Sequence, residues 1–70
     1  MNYELLNKLI DERKVSKSAL AEKLGLSRQG LYNKLNGDND FLGSEMKNIS
    51  EALSLSNDER DAIFFDSDVG

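Results

Sequence analysis

Apolar positions recur along this chain in short bursts at helical spacing, each burst bounded by a serine, an asparagine or a glycine. Leu5, Leu6, Leu9 and Ile10 fall on one face of a helix over about residues 3–13, with Glu4, Lys8, Asp11 and Glu12 on the other. A second helix starts at Ser16 or Ser18, either of which offers a hydroxyl oxygen as N-cap, and runs to Leu24. Ala19, Leu20 and Lys23 with Leu24 keep its period, and Gly25 stops it as the residue free to turn left-handed. Ser27 caps a third helix that reaches Leu35 and closes on Asn36-Gly37, followed by a polar turn through Asp38, Asn39 and Asp40. Phe41 and Leu42 bring the chain back to the core. Ser44 then caps a fourth helix that buries Met46, Ile49, Ala52 and Leu53. Ser56 and Glu59, spaced as a capping box, open a fifth helix ending in Ile63-Phe64-Phe65. One of the two phenylalanines packs inward, and the other is left as a candidate dimer contact. No stretch alternates apolar and polar residues long enough for a strand, so the fold class is all-α with five helices.

Seventy residues make one domain. It is expected over residues 1–65, with residues 66–70 as a frayed acidic tail. The absence of cysteine and histidine removes disulfides, thiol nucleophiles, Cys/His zinc sites and imidazole acid–base chemistry together. The longest apolar run, Ala62-Ile63-Phe64-Phe65, is far too short to cross a bilayer, and Met1-Asn2-Tyr3-Glu4-Leu5 does not begin a signal peptide. A cytoplasmic protein is expected, with no membrane partner. Asp38, Asn39 and Asp40 with Gly43 faintly suggest a calcium loop. That loop needs an oxygen ligand at its fifth position and glutamate at its twelfth, where this chain has Leu42 and Ile49. With no nucleophile–base pair, metal cluster or glycine-rich phosphate loop, no enzyme activity, cofactor or small-molecule substrate is expected.

The net charge of −4 argues at first against a nucleic-acid partner, but its distribution argues otherwise. Residues 1–36 carry seven Lys/Arg against four acids, or +3, and residues 37–70 carry two against nine, or −7. Such asymmetry is what a localised electrostatic footprint produces, although a lopsided solvated surface produces it too.

Residues 17–34 read as two short helices joined by a tight turn. Ala21 is small where crossing helices must approach closely, and Gly25 permits the turn without a Cβ clash. Leu20, Leu24, Leu26 and Leu31 face inward, which leaves Arg28, Gln29, Tyr32 and Asn33 outward on the later helix. Arginine can pair bidentately with guanine, and glutamine or asparagine with adenine, in a major groove. Each residue also has a plainer reading: Gly25 as a helix stop, Tyr32 as core, Arg28 and Gln29 as an ordinary solvated face.

This segment, with the Ala21 to Gly25 spacing, Leu31 and the closing Asn36-Gly37, resembles the helix-turn-helix of the phage repressor and Cro class. Residues 40–56 are similar to the fourth helix of such lambda repressor-like domains, and Ile63-Phe64-Phe65 to the end of the fifth. The resemblance implies a phage or prophage Cro/repressor-like transcriptional regulator that binds double-stranded operator DNA through its third helix. It implies that Lys17 contacts phosphate or an outer base and that Ser27 caps the third helix and touches phosphate. Arg28, Gln29 and Asn33 would read bases, Tyr32 would lie along the backbone or touch a thymine methyl, and Asn36 would bond phosphate. Lys34 departs from the pattern, which has an apolar residue there more often. Either its stem covers the core edge while the ammonium reaches solvent or phosphate, or the third helix is slightly rotated.

One recognition helix contacts few base pairs, so pairing into a homodimer is expected, with two such helices about 34 Å apart. The rival reading is a protein-interaction module on the same fold, such as an antirepressor or an antitoxin-like binder, motivated by the −7 half. Steep loss of DNA affinity with salt separates the two.

Overall fold

The computed structural model describes residues 1–65, which form five α-helices and no strand. They are α1 Tyr3–Glu12, α2 Lys17–Leu24, α3 Arg28–Leu35, α4 Gly43–Leu53 and α5 Asn57–Phe64. The acidic stretch 66–70 lies outside the described residues. Among the described residues no helix is long and apolar enough to cross a membrane.

The helix starts follow from side-chain oxygens. Asn2 Oδ1 accepts from the Leu5 N–H at 3.0 Å, and Ser16 rather than Ser18 caps α2 by accepting from Ala19 N–H at 3.0 Å. Ser56 accepts from Glu59 N–H at 3.1 Å while Glu59 accepts from Ser56 N–H at 2.9 Å, the reciprocal box expected for α5. The start of α4 differs from expectation. Ser44 lies inside its first turn, and Leu42 is the N-cap residue. Leucine has no oxygen to offer, so half a capping box forms: Glu45 Oε1 accepts from Leu42 N–H at 2.8 Å. Leu42 is extended at this junction and 61% exposed, so only Phe41 of that pair returns to the core.

The helix ends share one device. After α1, α2, α3 and α4 a residue with positive φ reverses the chain, at Lys14, Gly25, Gly37 and Ser54. At each, the residue's own N–H and the next one bond back to two helix carbonyls, as in Gly37 N–H to Lys34 O and Asp38 N–H to Asn33 O. This is the Schellman arrangement, which satisfies carbonyls the helix leaves unpaired. Two of the four turns use glycine and two impose a left-handed backbone on a residue with a Cβ.

The core draws on every helix: Leu6, Leu9 and Ile10, Leu20 and Ala21, Leu31 and Leu35, Ile49 and Leu53, Ile63 and Phe64, with Phe41 from the α3–α4 loop. Each fully buried leucine or isoleucine contributes about 1.5–3 kcal/mol. The inward stripe of α2 is Leu20 and Ala21 with Leu24 at its edge, and Ala19 and Lys23 face water. Phe64 is the inward phenylalanine and Phe65 is 66% exposed. α2 packs on α3 and α4, and α1 on α3 and α5.

Two long-range ties fix the ends of this bundle. Asn2 N–H donates to Ile63 O at 2.7 Å, joining the start of α1 to the end of α5. The Arg13 guanidinium donates to Leu53 O at 2.6 Å and to Glu59 Oε2 at 2.7 Å. One side chain thereby satisfies the end of α4 and the box of α5. The Ser56 N–H, and then Arg13, hold the Glu59 carboxyl below the usual carboxylate range.

Candidate nucleic-acid interface

α2 and α3 are joined by three residues, Gly25, Leu26 and Ser27, and form the helix-turn-helix. Gly25 adopts φ +72°, and a Cβ built there meets nothing within 4 Å. The backbone conformation, rather than lack of room, is what asks for glycine here. Leu26 N–H donates to Ala21 O at 2.9 Å, and Ala21 is buried where α2 meets α3. Ser27 opens α3 by accepting from Gly30 N–H at 3.0 Å. A Cβ on Gly30 would come within 3.2 Å of that same Ser27 oxygen, so glycine leaves space for the cap.

α3 divides cleanly by face. Leu31 and Leu35 are buried, while Arg28, Gln29 and Tyr32 are exposed and Asn33 is half-buried beside them. Gln29 Nε2 donates to Asn33 Oδ1 at 2.9 Å, one helical turn along. The Lys17 ammonium lies 5.4 Å from the centre of the Tyr32 ring, so the start of α2 and the outer face of α3 meet at this pair. Tyr32 is therefore a surface residue and not core. Asn36 is exposed at the end of α3, where its N–H bonds to Tyr32 O at 2.9 Å. Six of the seven expected site residues thus lie along α3 and its two caps, and Lys17 reaches the same face from α2.

The Lys34 stem covers the core edge as expected, but its ammonium does not end in solvent. Its ammonium turns under α3 and pairs with Glu45 Oε1 at 2.5 Å, with 14% and 7% of the two side chains exposed. It also lies 5.9 Å from the centre of the Phe41 ring. The charge is neutralised by Glu45 beneath α3 and is largely withdrawn from solvent. Burial pushes the Glu45 carboxyl up. The Leu42 N–H and the bond and charge of Lys34 more than offset this, leaving the group below its ordinary value. Glu45 was not singled out from sequence. The signal that could have found it is an acid three residues after Leu42, opposite a lysine in a normally apolar place.

The positive charge of the first 36 residues is partly used up the same way. Arg13 is paired to Glu59, Lys34 to Glu45, and Lys8 weakly to Glu12 at 3.9 Å. Among the described residues, Lys14, Lys17, Lys23 and Arg28 have no carboxylate partner, and these lie on or beside the helix-turn-helix.

At the C-terminal side of α3, Gly37 has φ +90°, and its Cα faces the Tyr3 ring, which a Cβ would meet at 3.5 Å. The end of the outer helix is thereby seated on α1.

A comparison with curated proteins finds no match, and neither does one with solved structures. A family model does match, that of the Cro/C1-type HTH DNA-binding domain, over residues 5–59. The match runs from within α1 to the capping box of α5, with the whole helix-turn-helix inside it, and the chain belongs to the Cro/C1-type HTH DNA-binding domain family.

Proposed function

We propose that the chain is a sequence-specific transcriptional regulator that lays α3 in the major groove of operator DNA. The observation that supports this reading is the outward row of α3: Arg28, Gln29 and Tyr32 are exposed and, among the described residues, take part in no core, cap or ion pair. Arg28 suits guanine and Gln29 suits adenine, while Lys17, Ser27 and Asn36 border the row where phosphates would run. The N-terminal end of α3 adds its partial positive charge toward those phosphates.

One monomer offers few free cations, so operator binding is a two-copy event in this reading. The occupant proposed for the groove between α4 and α5 is a second copy of the chain. Its floor is Met46 and Phe64 with exposed Phe65 beside them, and its rim carries Lys47 and Arg60 together with Glu51. A two-fold axis repeats every contact twice, so a single pairing of Glu51 in one copy with Lys47 or Arg60 in the other would recur on both sides of the axis.

The test is selection of bound sequences from a random duplex pool, followed by a salt titration of the winner. A consensus with two-fold symmetry and a steep fall of affinity with salt are expected. Failure to bind any duplex at low salt would end this reading and favour a protein-interaction module on the same fold.

A further inference from the structure

Asn36-Gly37 carries a chemistry that the helix-turn-helix does not use. Of the seven asparagines in the chain, only Asn36 precedes a glycine. A backbone nitrogen can attack the side-chain carbonyl carbon of the asparagine before it, which is one reason asparagine is a labile residue. A side chain on the following residue obstructs that approach, and glycine has none. The fold does not shield the amide. Asn2 Oδ1, Asn7 Nδ2 and Asn33 Oδ1 are each held by a hydrogen bond. The Asn36 side chain is exposed and, among the described residues, makes none.

We infer that Asn36 is a self-modification site, at which Gly37 N attacks Asn36 Cγ and the residue becomes aspartate or isoaspartate. The Gly37 N–H gives its proton to hydroxide as the N–Cγ bond forms. The Cγ–Nδ2 bond breaks and ammonia leaves with a proton from water, which closes a succinimide ring. Water then opens the ring at either carbonyl. The fold sets the pace of the first step. At ψ −7°, Asn36 places Gly37 N in line with its own backbone nitrogen and away from its side chain. The Gly37 N–H is also bonded to Lys34 O at 3.1 Å, and the next N–H, of Asp38, to Asn33 O at 2.9 Å. The ring therefore closes only when the last turn of α3 opens, a local event rather than global unfolding. The product puts a carboxylate at the C-terminal end of α3, which the helix dipole disfavours. On the proposed function it also stands where phosphate would run. That consequence rests on the proposed function; the reaction does not.

The test incubates the full chain at mildly alkaline pH, in buffer and in denaturing urea, and maps its peptides for aspartate and isoaspartate. N36Q, whose longer amide closes a larger ring reluctantly, is the control. Conversion is expected at Asn36 ahead of Asn39 and Asn57, at least about tenfold slower in buffer than in urea. Duplex affinity of the parent should fall in step with conversion, by about tenfold when complete, the loss of one hydrogen bond to a charged group. N36Q should hold its own starting affinity throughout. Asn36 intact in buffer over weeks, or converted equally fast in buffer and in urea, overturns the inference whatever happens on DNA. Conversion with unchanged affinity upholds it and removes Asn36 from the phosphate contacts. If the fresh protein binds no duplex, the proposed function falls and the peptide map still decides the inference.

Discussion

The Lys34 ammonium and the Glu45 carboxylate meet beneath the end of α3, and the same carboxylate oxygen caps α4 through the Leu42 N–H. A single atom thus joins the outer helix to the start of the next. Removing one member of a nearly buried pair leaves the other charge without compensation, which is costlier than losing the attraction itself. K34M is expected to destabilise the domain by about 3 kcal/mol. K34M with E45Q should recover most of that, because glutamine still accepts the Leu42 N–H and no charge remains. Urea unfolding of the three proteins measures this, and equal losses in the single and double variants would show that the pair is not coupled.

Acid should unfold the protein through these glutamates. Glu45 and Glu59 both have folded-state values below their ordinary ones. A carboxyl of this kind contributes stability that is present above the unfolded value, about 4.3, and lost as pH falls through the folded value. Melting temperature is expected to be flat near neutrality and to decline below about pH 5. E59Q should lower the plateau and flatten the decline. An acid limb of unchanged slope in E59Q would rule out its share.

Left-handed turns at Lys14 and Ser54 strain residues that carry a Cβ. Glycine relieves a cost of about 1 kcal/mol there, so K14G and S54G should each raise the melting temperature by several degrees. G25A and G37A should lower it by at least as much. G37A should suffer more, since its Cβ would also press on the Tyr3 ring at 3.5 Å while that of G25A meets open space. Calorimetry that found G25A the worse of the two would contradict this ordering.

On DNA, position and charge should separate cleanly. R28A is expected to relax preference at one base pair and to cost about 1–3 kcal/mol on the best site. K17A should weaken all sequences alike and lower the salt slope by about one. Y32L leaves Lys17 without the ring beside it, so it should reproduce part of the K17A loss at every sequence, by roughly 0.5–1 kcal/mol. Competition binding on matched and mismatched duplexes distinguishes these patterns. A loss confined to one base pair in K17A would reassign it to base reading.

Much of this was legible in the sequence, because the governing interactions are local. Helical spacing, the caps at Ser27 and Ser56 and the stop at Gly25 act within a few residues, and each is seen in the fold. What the sequence hid was carried by partners far apart. Ser44 looked like the cap of α4 by residue type. Glu45 instead reached back to Leu42 and across to Lys34, eleven positions away. Arg13 was only one of seven cations in the first 36 residues, and its partners proved to be Leu53 and Glu59, forty or more residues on. Leu42, apolar and expected inside, faces out because an N-cap residue in extended conformation at that corner has no core to point into. Of the outer face, residue choice was readable, but the Gln29–Asn33 bond depends on which rotamers the helix allows.

The division of α3 into two faces has a practical side. Among the described residues Arg28, Gln29 and Tyr32 take part in no core, cap or ion pair, whereas Leu31, Leu35 and Lys34 on the same eight-residue helix are committed to its neighbours. If α3 reads DNA as proposed, preference for a site is open to rewriting by exchanging a few outward side chains on an unchanged scaffold. In that reading the domain is a natural recipient for grafted recognition residues, so long as Lys34, which is paired with Glu45 beneath the helix, is left alone.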